Sequence, residues 1–286
     1  MNKKSKKYIT ALASVGIMVF GLQACQGLTI TTKDQQKNYP DASVQPTKFK
    51  KDPKKAAEIR TQIAAEYLRN GELDAAKRAL DEVFEQDSRN VQANMLMGIL
   101  LQQEGSPENV AKADSYFKRA LALDPTDAQT RNNYGRYLFQ LGRYNDALEQ
   151  LRIAGSTLGY EQRGMALENL GQAYMKLGDV LNAEKTFKQA LQVNQSSSVS
   201  MLELAEIFYL RQDKSSANDA YDNYVRIVGS KNQSARGLWV GIRIMRANGD
   251  NMSMQVLVNQ LRALFPDSQE YQHYLQLQYS TEAVWK

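Results

Sequence analysis

The chain has one cysteine and one histidine in 286 residues, and these two scarcities remove whole classes of chemistry. A lone Cys25 forms no intramolecular disulfide, and a lone His273 beside a lone thiol supplies no zinc-ligand cluster. The usual Ser/His and Cys/His nucleophilic pairs go with them, so no enzyme is expected. No glycine-rich phosphate loop of the P-loop or dinucleotide type appears, and neither a cofactor nor a small-molecule substrate is expected. Carboxylates are plentiful but alternate with lysines and arginines at helical spacing, the pattern of a solvated surface. A real excess of positive charge is missing too. Lys3, Lys4, Lys6 and Lys7 lie in a leader without acidic residues, and removing residues 1–24 lowers the formal charge from +5 to +1. Nothing in that balance calls for nucleic acid.

What is present begins with that leader. A basic start, residues 2–7, precedes an apolar run from Tyr8 to Leu22, fifteen residues, the length of a signal-peptide core rather than a bilayer span. The competing reading, an uncleaved membrane helix, is diluted by Gln23, Gln26, Thr29, Thr31 and Thr32. Leu22-Gln23-Ala24-Cys25 resembles the lipobox of bacterial lipoproteins, with Leu22 at minus three and the small Ala24 at minus one. That resemblance implies a signal peptide over 1–24, cleavage before Cys25, an S-diacylglycerol on its sulfur and an N-acyl group on its amine. Each buried methylene contributes about 0.8 kcal/mol, so several chains anchor stably where one does so only marginally. Gln26 in place of Asp resembles the sorting pattern of lipoproteins sent to the outer membrane, which implies lipid anchoring at its periplasmic face.

Residues 25–55 hold Pro40, Pro46, Pro53, several threonines and a lysine-rich end, with too little apolar content for a core, and read as a flexible linker. From residue 56 the chain repeats itself. Small residues at Ala64, Gly98, Gly135, Gly171 and Ala205 are each followed three residues later by Tyr67, Leu101, Leu138, Tyr174 and Phe208. Gly71, Gly105, Gly142 and Gly178 come four residues beyond. Second halves carry Ala76, Ala113, Ala147, Ala183 and Ala217, then Leu80, Phe117, Leu151, Phe187 and Tyr221. The period of 34 residues and these slots resemble the tetratricopeptide repeat. The expected fold is all-α, a tetratricopeptide superhelix of about six helix pairs over 57–90, 91–127, 128–161, 164–197, 198–231 and 235–268. An insertion falls near 106–110, and the sixth copy is degenerate, with Ile242 and Met254 where small residues belong. Tyr271, Tyr274, Leu275 and Tyr279 place a capping helix and tail over 269–286.

Stacked helix pairs curl so that first helices line a concave face. Slots 2, 5, 6, 9, 12 and 13 of each repeat point there, presenting Asn132, Asn133, Arg136, Phe139, Asn169, Gln172 and Met175, then Tyr209, Trp239, Arg243 and Arg246. Amides can hold an extended peptide by its backbone, and arginines suit carboxylates. Trp239 can instead pack between repeats five and six.

A lipobox, a short linker and six such repeats at this length resemble the type IV pilus biogenesis lipoproteins of the PilF/PilW family, the pilotins of the secretin. Asn132-Asn133-Tyr134-Gly135-Arg136 followed by Gly142-Arg143-Tyr144 is similar to a repeat of that family, although Phe139-Gln140 stands where relatives often carry a cysteine. The resemblance implies an outer-membrane lipoprotein that binds the type IV pilus secretin through its repeats and promotes its localisation and multimerisation. The alternative is an envelope scaffold that docks peptidoglycan enzymes or outer-membrane assembly factors.

Overall fold

By internal contacts the chain divides into Met1–Lys50 and Lys51–Lys286. The structure, a computed structural model, describes residues 52–281 and Trp285, all within the second unit. Leu22, Ala24, Cys25 and almost all of the expected linker lie outside the described residues. Those residues form thirteen α-helices and no strand. Six antiparallel pairs follow in order: α1 (Pro53–Arg69) with α2 (Leu73–Gln86), α3 (Val91–Glu104) with α4 (Pro107–Leu123), and α5 (Ala128–Gln140) with α6 (Tyr144–Ser156). Next come α7 (Arg163–Lys176) with α8 (Val180–Val193), α9 (Ser198–Leu210) with α10 (Lys214–Val228), and α11 (Ala235–Asn248) with α12 (Asn251–Leu264). A short α13 (Gln269–Leu277) packs on α11. No helix among the described residues is long and apolar enough to cross a membrane.

Local chemistry fixes where most helices start. Asp52, Asn90, Ser106, Asp127, Asp179, Ser197, Asp213, Ser234, Asp250 and Ser268 each accept a backbone N–H of the first turn. The first helix begins at Pro53, inside the segment expected to be linker, because Asp52 caps it and Pro53 fits its first position. The insertion at 106–110 forms no loop of its own; capped by Ser106, it becomes the first turn of α4.

Five of the six helix pairs close through a left-handed residue whose successor donates back five residues, as Glu72 N–H does to the Tyr67 carbonyl at 2.8 Å. Gly142 and Gly178 take this role at φ 74° and 75°. In the fifth repeat the residue is Gln212 at φ 64°, the one non-glycine among the described residues with positive φ. A side chain there costs about 1–2 kcal/mol, against about 0.5–1 kcal/mol of extra unfolded-state entropy for glycine. Gln212→Gly is therefore expected to stabilise the protein by about 0.5–1 kcal/mol, seen as a higher urea midpoint with the same m-value. A lower midpoint would contradict the strain assigned to this turn.

The core is a column of small residues meeting large ones. Ala64, Ala76, Ala113, Ala147 and Ala183 are fully buried, as are Leu80, Phe117, Leu151 and Phe187. A Cβ at Gly135 would stand 2.5 Å from Leu151 Cγ, and one at Gly171 would stand 2.6 Å from the Phe187 ring, so these helices approach only because the glycines lack it. Phe117, Tyr134 and Tyr137 cluster with centroids 5.3–6.0 Å apart, and Tyr134 Oη donates to Asp114 at 2.9 Å, tying repeat two to repeat three. The degenerate sixth repeat compensates one slot away. Ile242 is buried, and Gly237 and Gly241 make the room, lying under the Tyr224 and Tyr221 hydroxyl ends.

The cap differs from the sequence expectation. Helix α13 stops at Leu277 and buries none of its residues fully. Tyr271, Tyr274 and Leu277 pack on α11 and α12, whereas Tyr279 is almost wholly exposed and Leu275 points to solvent. The last core position is filled by Trp285, only 2% exposed.

Candidate functional site

The first helices present two chemically distinct zones. Over repeats one to four, slots 2, 6, 9, 12 and 13, joined by slot 5 in the first two repeats, line three adjoining cavities of about 300, 340 and 180 Å³. Primary amides recur in their walls: Gln62, Gln92 and Gln129 beside Ala65, Met95 and Leu96 in the first, Gln102, Gln103, Asn133 and Gln140 in the second, Gln140, Asn169 and Gln172 in the third. Each amide carries two donors and a two-lone-pair acceptor, which matches the alternating N–H and C=O groups of an extended chain. Several are already positioned by neighbours. Gln102 donates to Gln140, Asn133 donates to the Gln129 carbonyl at 3.0 Å, and Asn169 donates to Asn132 Oδ1 at 3.1 Å. Arg136, exposed between the second and third cavities, is the cation of this zone.

Over repeats five and six the same slots hold ions and rings paired with one another. Arg236 donates to both Glu203 oxygens at 2.7 and 2.9 Å and to Glu206 Oε2 at 2.5 Å, while Arg243 donates to the other Glu206 oxygen. Burial alone would raise the Glu206 carboxyl, but Arg243 and Arg236 outweigh it and hold the carboxyl below the usual carboxylate range. The Arg243 guanidinium carbon lies 5.1 Å from the Tyr209 centroid and 5.4 Å from that of Trp239, the geometry of a cation–π sandwich. Trp239 stacks on Trp285 at 5.5 Å and 22°. No group of three or more His, Cys, Asp or Glu side chains able to hold a metal occurs among the described residues.

Family profiles described as tetratricopeptide repeat match residues 61–109, 116–149 and 166–197. The chain carries tetratricopeptide repeats and has their superhelical fold. It is similar to the type IV pilus assembly protein PilF of Pseudomonas aeruginosa, with 29% identity across 92% of this chain and 96% of that protein. Solved structures agree. One from a functional characterisation of P. aeruginosa PilF superposes with a TM-score of 0.72 at 29% identity, over 78% of this chain and 98% of the other. The structure of PilW, described as a widely conserved type IV pilus biogenesis factor, gives 0.67 at 26% identity, over 77% and 98%.

Within this tetratricopeptide array the expected groove residues divide. Asn133, Arg136, Asn169 and Gln172 line the amide cavities with their polar groups accessible. Phe139 and Met175 are half-buried, Phe139 closing the third cavity edge-on to Tyr144 at 5.3 Å. Asn132, Tyr209 and Arg243 are buried rather than displayed. Slot 5 of a tetratricopeptide repeat faces the next first helix here, so Asn132 spends its amide on Asn169 and on the Tyr160 hydroxyl at 3.3 Å. Tyr209 and Arg243 are covered because Glu206, Trp239 and Trp285 fill the groove above them. Trp239 belongs both to the groove and to the packing of the last repeat. The glutamines of repeats one and two and the aromatic Trp285 were not among the expected residues. The former follow from applying the same slots to the first two repeats, whereas nothing local in the sequence marks the latter.

Proposed function

We propose that the chain acts in type IV pilus biogenesis as a lipid-anchored outer-membrane protein whose repeats bind the pilus secretin and promote its localisation and multimerisation. The similarity to PilF along nearly the full length of both chains carries this reading. The amide zone supplies the means. Its groups pair with the backbone of an extended segment irrespective of most side chains, which suits a carrier that must hold an unassembled subunit and then release it, and Arg136 adds a place for a carboxylate. No bond is made or broken in such work. Acyl chains on Cys25 would set where it happens.

The test is genetic and biochemical. Deletion of the gene is expected to remove secretin multimers from the outer-membrane fraction on an unboiled gel, with wild-type protein restoring them. Cys25→Ser is expected to abolish lipid labelling and membrane attachment of the protein, and Asn133→Ala with Arg136→Ala to weaken secretin capture in a folded chain. Normal multimers in the deletion strain would overturn the secretin role and pass the repeats to the envelope-scaffold alternative.

A further inference from the structure

The groove over repeats five and six contains a peptide seat, and its occupant is part of the same chain. Trp285 lies flat on Trp239, meets Tyr274 edge-on with centroids 6.2 Å apart, and takes the Arg246 guanidinium 4.4 Å from its own ring centroid. Its main-chain carbonyl accepts from the Tyr209 hydroxyl at 3.4 Å, and Arg246 Nη2 donates to the Ser280 carbonyl at 2.7 Å. One side chain and two backbone carbonyls are thus read by groups on α9, α11 and α13, the manner in which a groove reads a bound segment. These groups occupy slot 12 of repeat five and slots 5 and 12 of repeat six; slot 12 is the position through which Gln102 and Phe139 face the open amide cavities in repeats two and three. The fit is incomplete. The buried indole Nε1–H finds no acceptor among the described residues. Beside the seat, Tyr209 and Arg246 also wall a cavity of about 350 Å³ floored by Ala217, Ile244 and Ala247.

We propose that this seat is a docking site for an extended partner segment carrying tryptophan or another large aromatic side chain, and that Trp285 occupies it in cis until such a segment displaces it. The occupant defines the chemistry: a flat ring for the space between Trp239 and Arg246, a carbonyl for Tyr209, and a neighbouring apolar side chain for the adjoining cavity. A partner that also offers an acceptor to its own indole N–H makes a hydrogen bond that Trp285 lacks. Because Trp285 is covalently linked, its local concentration is high, and a free segment of equal quality binds only weakly until Trp285 is removed. The site does not depend on the secretin being the partner of the amide zone.

The probe is a labelled synthetic peptide with the sequence of residues 278–286, followed by fluorescence anisotropy. The full chain with Trp285→Ala is expected to bind it at least tenfold more tightly than wild type does, and a peptide whose tryptophan is replaced by alanine is expected not to bind. No binding to the folded variant, or equal binding to variant and wild type, would overturn the proposal. Should Trp285→Ala fail to fold, the measurement moves to Trp239→Phe, which keeps a ring in the seat and leaves Trp285 as the sole tryptophan. Its emission is expected to shift to the red and saturate as the unlabelled peptide with phenylalanine in place of its tryptophan, which adds no indole emission, displaces it into water; an unmoved spectrum would overturn displacement.

Discussion

Replacing Gly135 by leucine is expected to destabilise the array by about 3 kcal/mol or more, lowering Tm by roughly 6–12 °C. A Cβ at Gly135 already meets Leu151 Cγ at 2.5 Å and Cδ2 at 2.8 Å, with the Ala147 carbonyl 3.4 Å away, so even the first added atom drives α5 from α6. Both neighbours sit in the fully buried column that runs between repeats, which leaves no side for relaxation. The contact can be tested by itself. Leu151→Ala alone should cost about 2–5 kcal/mol as a cavity, and combined with Gly135→Ala it should cost less than the two single changes together, by about 0.5–3 kcal/mol. Strict additivity, or an unchanged Tm for Gly135→Leu, would show that the two side chains do not share this space.

That prediction could be framed from the sequence because the contact is periodic. A small residue on one helix and a large one on its partner recur every 34 to 37 residues, and five copies in register leave little freedom in how they meet. The amide zone was legible for the same reason, since Asn133 and Asn169 fill one slot in successive repeats. Where periodicity ends, so did the reading. Asp52-Pro53 is a good helix start, but it falls before the first repeat, among lysines and prolines that suggest linker. Asn132 looked as accessible as Asn133, because position along a helix gives the direction of a side chain and not what the next helix brings against it. Trp285 is the extreme case. It reaches the Tyr209 hydroxyl across a sequence separation of 76 residues, with no repeat to predict its place.

The two zones also divide the work the array can do. Repeats one to four keep their slot residues weakly engaged and open to a chain of almost any sequence, while repeats five and six spend theirs on each other and accept one particular shape. A partner held along the whole concave face would be gripped by backbone at one end and selected by an aromatic side chain at the other.

That selectivity depends on α9 and α11 keeping their spacing, which makes Glu206 the most consequential side chain of the second zone. Glu206→Gln is expected to cost about 3–5 kcal/mol, because it leaves the buried Arg243 guanidinium without its counter-charge between Tyr209 and Trp239. Adding Arg243→Met to Glu206→Gln should recover much of that loss, since the unpaired buried charge is then gone, and failure to recover any of it would place the cost elsewhere. Acid should act on the wild type through the same carboxyl. Its folded pKa lies below the ordinary value of 4.5, so its contribution is fully present above about pH 4.5 and is lost as the pH falls through the depressed value. Tm measured from pH 7 to pH 3 should therefore fall more steeply at the acid end for wild type than for Glu206→Gln, which has no proton to take up at that position. Parallel acid limbs would mean that Glu206 is not what joins the last two repeats, and the seat for Trp285 would then have to owe its shape to the rings alone.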